Sequence, residues 1–187
     1  MRYSARMAQA PVGRSQRVFF ALWPDAPLRA SLSELAREVA RASGGRPTAA
    51  HQIHLTLAFL GEQPAARVEA LRGAGADVRA AAFTLALDAV GGFARAGIAW
   101  LGAQAPQPGL AALHAELTAA LRGRGFAVEE KPYVPHLTLS RRSAVTAARY
   151  LPRPLVWRVS SFVLVESVLG RDGSAYRTIA EWPLAAI

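Results

Sequence analysis

The tetrapeptide His54-Leu55-Thr56-Leu57, set within Ile53 to Leu60, recurs unchanged as His136-Leu137-Thr138-Leu139, which runs on to Ser140 and Arg141. Each copy alternates residue types with the two-residue period of a β-strand, so His and Thr face one way and the leucines the other. This geometry is expected to bury the leucines and to present an imidazole beside a hydroxyl. A single His-x-Thr triplet arises by chance. Two identical tetrapeptides in different halves of a chain of 187 residues ask for a common reason.

Upstream of the first copy, Val18-Phe19-Phe20-Ala21-Leu22 reads as a buried strand stopped by Trp23-Pro24. Asp25 is placed to cap a helix with Pro27 in its first turn, with Leu28, Leu32, Leu35 and Val39 on one face and Ser43-Gly44-Gly45 at its end. Beyond the first copy, Gly61 and Pro64 close the strand and a second helix is expected from Ala65 to Ala80, weakened by Gly73 and Gly75. Phe83 to Asp88 alternates as a strand, Gly91-Gly92 is expected to turn the chain, and Ile98 to Leu101 to return as a hairpin.

The second half opens with a proline-led amphipathic helix whose stripe is Leu110, Leu113, Leu117 and Leu121. Pro132 and Pro135 stiffen the backbone just before His136. After Arg141 come a short stretch to Tyr150 with helical character, one strand within Val156 to Val168, a turn over Gly170 to Gly173, and a last strand near Tyr176 to Trp182. The shared order of the halves suggests two pseudo-symmetric α+β lobes. Two antiparallel sheets would line a central cleft with the helices outside, one histidine strand on each side. The expected division is a flexible leader over residues 1–16 and one bilobal catalytic domain over residues 17–187.

Composition narrows the class. No apolar run nears the ~20 residues that cross a bilayer, so no membrane partner is expected. With no cysteine the chain forms no disulfide, and the cytoplasm is the default compartment. The formal charge is +9 and Lys131 is the only lysine among the basic residues. Arginine matches phosphate through its planar fork, which suits an anionic partner such as RNA; a biased Ala-Gly-Arg composition would give the same charge.

Two imidazoles across a cleft can serve as base and acid in one reaction near neutral pH. Opening a cyclic phosphodiester uses such a pair, one deprotonating water and the other protonating the departing sugar oxygen. Thr56 and Thr138 could donate to the phosphoryl oxygens or be ordinary β-branched strand residues. Tyr133, Phe19 and Phe20 could stack a terminal base or belong to the core. His51 and His114 read as structural, Ser140 has no base to make it a nucleophile, and no compact ligand cluster suggests a metal.

The stretch GRPTAAHQIHLTLAFLGE from Gly45 to Glu62, with KPYVPHLTLSR from Lys131 to Arg141, resembles the two-histidine phosphoesterase superfamily. More closely it resembles the bacterial RNA 2',3'-cyclic phosphodiesterases, also called 2'-5' RNA ligases, and the likeness spans almost everything after the leader. The resemblance implies hydrolysis of RNA 2',3'-cyclic phosphate ends to 2'-phosphates without metal or other cofactor. It implies His54 as proton donor, His136 as proton acceptor, and Thr56, Thr138 and Arg141 as phosphate-binding residues. Strict alternation puts Arg141 on the leucine face, so its part requires the strand to end or twist there. The family often has an acidic residue and asparagine where this chain has His51-Gln52. Expected partners are RNA with 2',3'-cyclic phosphate ends or cyclic nucleotides, and a monomer is expected. Alternatives are 2'-5' RNA joining, another cyclic nucleotide as substrate, or a non-catalytic RNA-binding module.

Overall fold

The computed structural model describes residues 15–144, 148–170 and 173–186. The apolar run forms β1 (Ser15–Leu22), buried from Val18 onward. Val18, Phe20 and Leu22 enter the main core, while Phe19 and Ala21 join Val163 and Val165 on the other face. A strand covered on both faces has no need to alternate, which is why its sequence reads as continuous.

The helices follow their signals. In α1 (Ala26–Ser43) the Asp25 carboxylate accepts from the Leu28 amide at 2.9 Å, and Gly44 ends the helix at φ 65°. Its leucine stripe is buried, as is that of α3 (Pro108–Gly123). α2 (Ala65–Asp77) runs through both glycines; a Cβ on Gly75 would collide with the Trp182 indole, so the residue that weakens the helix admits its packing partner. The three stripes meet the inward strand residues in one core.

The remaining strands are β2 (Arg46–Pro47), β3 (Leu55–Pro64), β4 (Phe83–Phe93), β5 (Ile98–Gly102), β6 (Leu137–Arg141), β7 (Arg149–Val159), β8 (Ser161–Gly170) and β9 (Gly173–Pro183). They form one antiparallel sheet in the order β7-β4-β5-β6-β3-β1-β8-β9, with β2 pairing β6. At its centre β3 and β6 pair only through Leu55 and Leu137. The two expected sheets are therefore halves of one, hinged at the residues that follow the two histidines.

These halves are not the halves of the chain. The β4–β5 hairpin joins the His136 side, and β8–β9 returns to β1 on the His54 side. Gly91 and Gly92 lie within β4 rather than at a turn, opposite Trp100 and Ala99, because a side chain on Gly91 would strike the Trp100 indole. The turn falls at Ala94–Ala96 and Gly97, the latter at φ 59°. The single strand expected within Val156 to Val168 is two, β7 and β8, divided at Ser160 where the chain passes between lobes. β7 carries Pro152 and Pro154 at the sheet's edge, where a missing N–H is tolerated. The stretch expected to be helical before Tyr150 is not helical where described; residues 145–147 lie outside the described residues, as do residues 1–14 of the leader and 171–172 of the last turn.

Candidate active site

His54 stands between a single 3-10 turn (Ala50–Gln52) and the start of β3, and its Nδ1 lies 2.7 Å from the Gln52 carbonyl oxygen. His136 stands one residue before β6, with Nδ1 2.8 Å from the Val134 carbonyl oxygen. Each imidazole is thus bonded to the carbonyl two residues back. A carbonyl can only accept, so Nδ1 carries the proton in both rings and Nε2 is left for chemistry. Both histidines line one cleft of about 590 Å³, together with Thr56, Thr138, Arg141, Arg17, Phe59 and Tyr176. All five residues expected at the site are brought together there, and among the described residues no carboxylate lines it.

Arg141 reaches the cleft through a β-bulge. Thr138 pairs with Trp100 and Ser140 with Ala99, so Leu139 is the extra residue. Leu139 and Ser140 are consequently both buried, and the next side chain, Arg141, emerges on the face of His136 and Thr138. The Ser140 hydroxyl is spent inside, donating to the Arg46 carbonyl at 3.0 Å and accepting from Ser143 at 2.8 Å.

β3 repeats the device at the same distance from its histidine. Thr56 pairs with Ala21 and Ala58 with Phe20, leaving Leu57 as the extra residue. Leu57 and Ala58 are both buried, and Phe59 emerges 49% exposed into the cleft. Phe59 and Arg141 thus occupy equivalent places, each five residues after a histidine. Sequence alternation assigns Phe59 to the core; a repeated bulge is invisible to a period-two reading. Of the aromatic residues weighed for stacking, Phe19 lines the cleft and Tyr133 a neighbouring cavity. Phe20 is core, Phe19 lies 4.9 Å from the His54 ring, and Tyr133 donates from its hydroxyl to the Thr56 carbonyl at 2.9 Å.

Two further residues were not expected at the site. Trp23 stacks on His54 at 5.1 Å with only 5° between planes, and Tyr176 meets the imidazole edge-on at 5.2 Å. Enclosure behind these rings pushes the His54 imidazole down from 6.5 to about 4. The Gln52 bond pulls the other way, while the Arg141 guanidinium and the coulombic influence of the His136 ring add to the depression. His136 meets Phe93 edge-on at 5.0 Å. His51 is exposed and outside the cleft lining, and His114 stacks on Tyr133 at 3.8 Å. Among the described residues no three His, Asp or Glu side chains converge as metal ligands, and no helix is long and apolar enough to cross a membrane.

The family model of the 2'-5' RNA ligase superfamily matches residues 24–171. The chain is 34% identical to the RNA 2',3'-cyclic phosphodiesterase of Escherichia coli (strain K12), over 90% of this chain and 97% of that one. To the protein of the same name from Thermus thermophilus it is 33% identical, over 90% of each. Its fold superposes on the crystal structure of E. coli LigT complexed with 3'-AMP with a TM-score of 0.80, at 34% identity over 91% of this chain and 99% of that one.

Proposed function

The chain belongs to the 2'-5' RNA ligase superfamily, and from that premise we propose that it is an RNA 2',3'-cyclic phosphodiesterase, opening cyclic phosphate ends to 2'-phosphates. The observation that carries this reading is the pair of imidazoles with matched Nδ1 anchors lining one cleft, each followed by a threonine on the same face.

In the proposed reaction a water oxygen attacks phosphorus as the bond from phosphorus to the ribose 3'-oxygen breaks. His136 Nε2 takes the water's proton and His54 Nε2 delivers one to the 3'-oxygen. The hydroxyls of Thr56 and Thr138 donate to the non-bridging oxygens, and Arg141 balances the charge gathering there. The bulge-exposed Phe59 offers its face to the terminal base. The carbonyls behind the histidines keep both rings turned with Nε2 inward.

The acid's role makes a demand on the substrate. With its imidazole held down at about 4, His54 is neutral in the empty cleft at pH 7. An anionic phosphate opposes the repulsion from Arg141 and His136, and the parallel Trp23 ring presents a π face to an imidazolium. The kinetic limb set by His54 is therefore expected near 4 in kcat/KM and at higher pH in kcat.

The same reading has the protein act as a monomer in the cytoplasm, on RNA ends or free cyclic nucleotides. The test is incubation with adenosine 2',3'-cyclic phosphate in excess EDTA. Adenosine 2'-monophosphate is the expected product; a correctly folded protein that leaves a panel of cyclic-phosphate ends intact removes the proposal.

A further inference from the structure

Beyond Leu55–Leu137 the central strands part, and the gap between β3 and the loop before β6 holds a second cavity of about 250 Å³. Thr56, Phe59 and His136 line both this cavity and the catalytic cleft, so a single ligand can occupy the two. Three other concavities, beside Arg37 and Pro47, beside Arg72 and Arg177, and beside Glu38 and Pro152, share no residue with the cleft.

We propose that this cavity binds the base of the nucleotide preceding the cyclic-phosphate terminus, making a dinucleotide end the better substrate. The inference rests on the phosphodiesterase reading above and names which RNA ends that activity favours. Chemistry at the 2' and 3' oxygens leaves the terminal 5'-oxygen joined to the rest of the RNA, and the adjoining cavity offers the preceding nucleotide a place beside the cleft. The cavity is smaller than the ~300–1,000 Å³ of pockets that enclose whole ligands, which suits one base rather than a nucleotide.

Its lining suits a base. Val134 is 51% exposed and Phe59 49%, large apolar surfaces only partly covered within the chain, with the Arg17 guanidinium over the Phe59 ring at 4.9 Å. The stacked rings of His114 and Tyr133 supply an aromatic wall. Burial draws His114 below its ordinary value, with Arg122 adding to the shift, so the surroundings favour the neutral ring. At the rim stands Lys131, whose contact with Glu129 at 3.4 Å is between two well-exposed groups. Such pairs are weak, and a phosphodiester linking the two nucleotides can take the lysine from the carboxylate.

The experiment compares kcat/KM for three substrates: adenosine 2',3'-cyclic phosphate, the dinucleotide ApA with the same end, and a dinucleotide whose first unit lacks its base. The intact dinucleotide is expected to exceed the mononucleotide about tenfold, a factor in the range that base stacking supplies, and the abasic one to lose most of that gain. Lys131→Glu is expected to cut the dinucleotide rate severalfold while leaving the mononucleotide rate unchanged, and Lys131→Arg to keep the preference. Equal rates for mononucleotide and dinucleotide overturn the proposal. So does an abasic dinucleotide as good as the intact one, or a Lys131→Glu variant that slows both substrates alike. A protein that turns over none of the three fails at the underlying reading instead, and this inference falls with it.

Discussion

His54 and His136 open identical tetrapeptides, are anchored through the same nitrogen to the carbonyl two residues back, and are followed by bulges at the same offset. Their surroundings nevertheless diverge. Among the described residues Trp23, Phe19 and Tyr176 wall in His54, whereas Phe93 alone of the aromatic rings meets His136. The repeated strand places an imidazole, and the packing from other elements sets how readily that imidazole holds a proton. On the proposed mechanism, two copies of one motif take opposite halves of a proton transfer.

The sharpest way to break this comparison is to remove each ring in turn. His54→Ala and His136→Ala are each expected to lower kcat by about 10²- to 10⁴-fold, the range of a lost general acid or base. A substrate with sulfur in place of the 3'-oxygen separates them, because a thiolate departs without a proton. It should restore much of the rate to His54→Ala and little to His136→Ala; the reverse pattern exchanges the two roles.

Acid stability probes the same asymmetry without substrate. His54 binds its proton at about 4 in the folded chain against 6.5 when unconstrained, so the unfolded state takes up the proton first as pH falls. The stabilising contribution is whole above 6.5 and is lost as pH falls towards 4. At 1.36 kcal/mol per pH unit that comes to about 3 kcal/mol. Unfolding free energies from denaturant titrations at pH 7 and pH 4 should therefore differ more for the natural chain than for His54→Leu by about this amount. Parallel pH dependences would mean that the aromatic wall does not exclude water from the imidazole.

The bulges give the next comparison. Arg141 and Phe59 stand at equivalent positions but offer a charge and a ring. Arg141→Ala is expected to lower kcat/KM about 100-fold, since a charge-assisted hydrogen bond contributes about 1.5–3 kcal/mol. Phe59→Ala should cost about tenfold and mainly in KM, as lost stacking does. If cyclic-phosphate substrates with and without a base respond alike to Phe59→Ala, the ring does not touch the base.

How much of this is legible in the sequence depends on the range of the interaction involved. The helix stripes, the Asp25 cap and the burial of the motif leucines follow from neighbours within a turn or a strand, and each can be read directly. The meeting of His54 with His136 is legible because the motif repeats. Strand partnership is not, since nothing local tells the β4–β5 hairpin to join the side of His136. Gly91-Gly92 has the look of a turn, and only the Trp100 ring lying across it gives the other meaning. Trp23 and Tyr176 reach His54 from the end of β1 and from β9, too far apart in sequence for any pattern to join them. An extra leucine in β6 is what brings Arg141 to the cleft face, and the same extra leucine in β3 turns Phe59 outward, which no period-two pattern can foresee.

The smallest expected effect concerns how the two motifs are held to each other once their strands separate. Tyr133 lies three residues before His136 and Thr56 two after His54, so the 2.9 Å bond from the Tyr133 hydroxyl to the Thr56 carbonyl spans the gap between them. Burial pushes the phenol well above its usual range, so it remains a donor at any working pH. Tyr133→Phe keeps the ring against His114 and deletes only the hydroxyl. A neutral hydrogen bond contributes about 0.5–1.5 kcal/mol net, so a fall in stability of about 1 kcal/mol and a roughly threefold loss of kcat with little change in KM are expected. A variant that loses stability but keeps its full kcat would show that the gap is set by the backbone pair Leu55–Leu137 alone. A loss confined to kcat would show that the hydroxyl acts on the spacing of the imidazoles rather than on the fold.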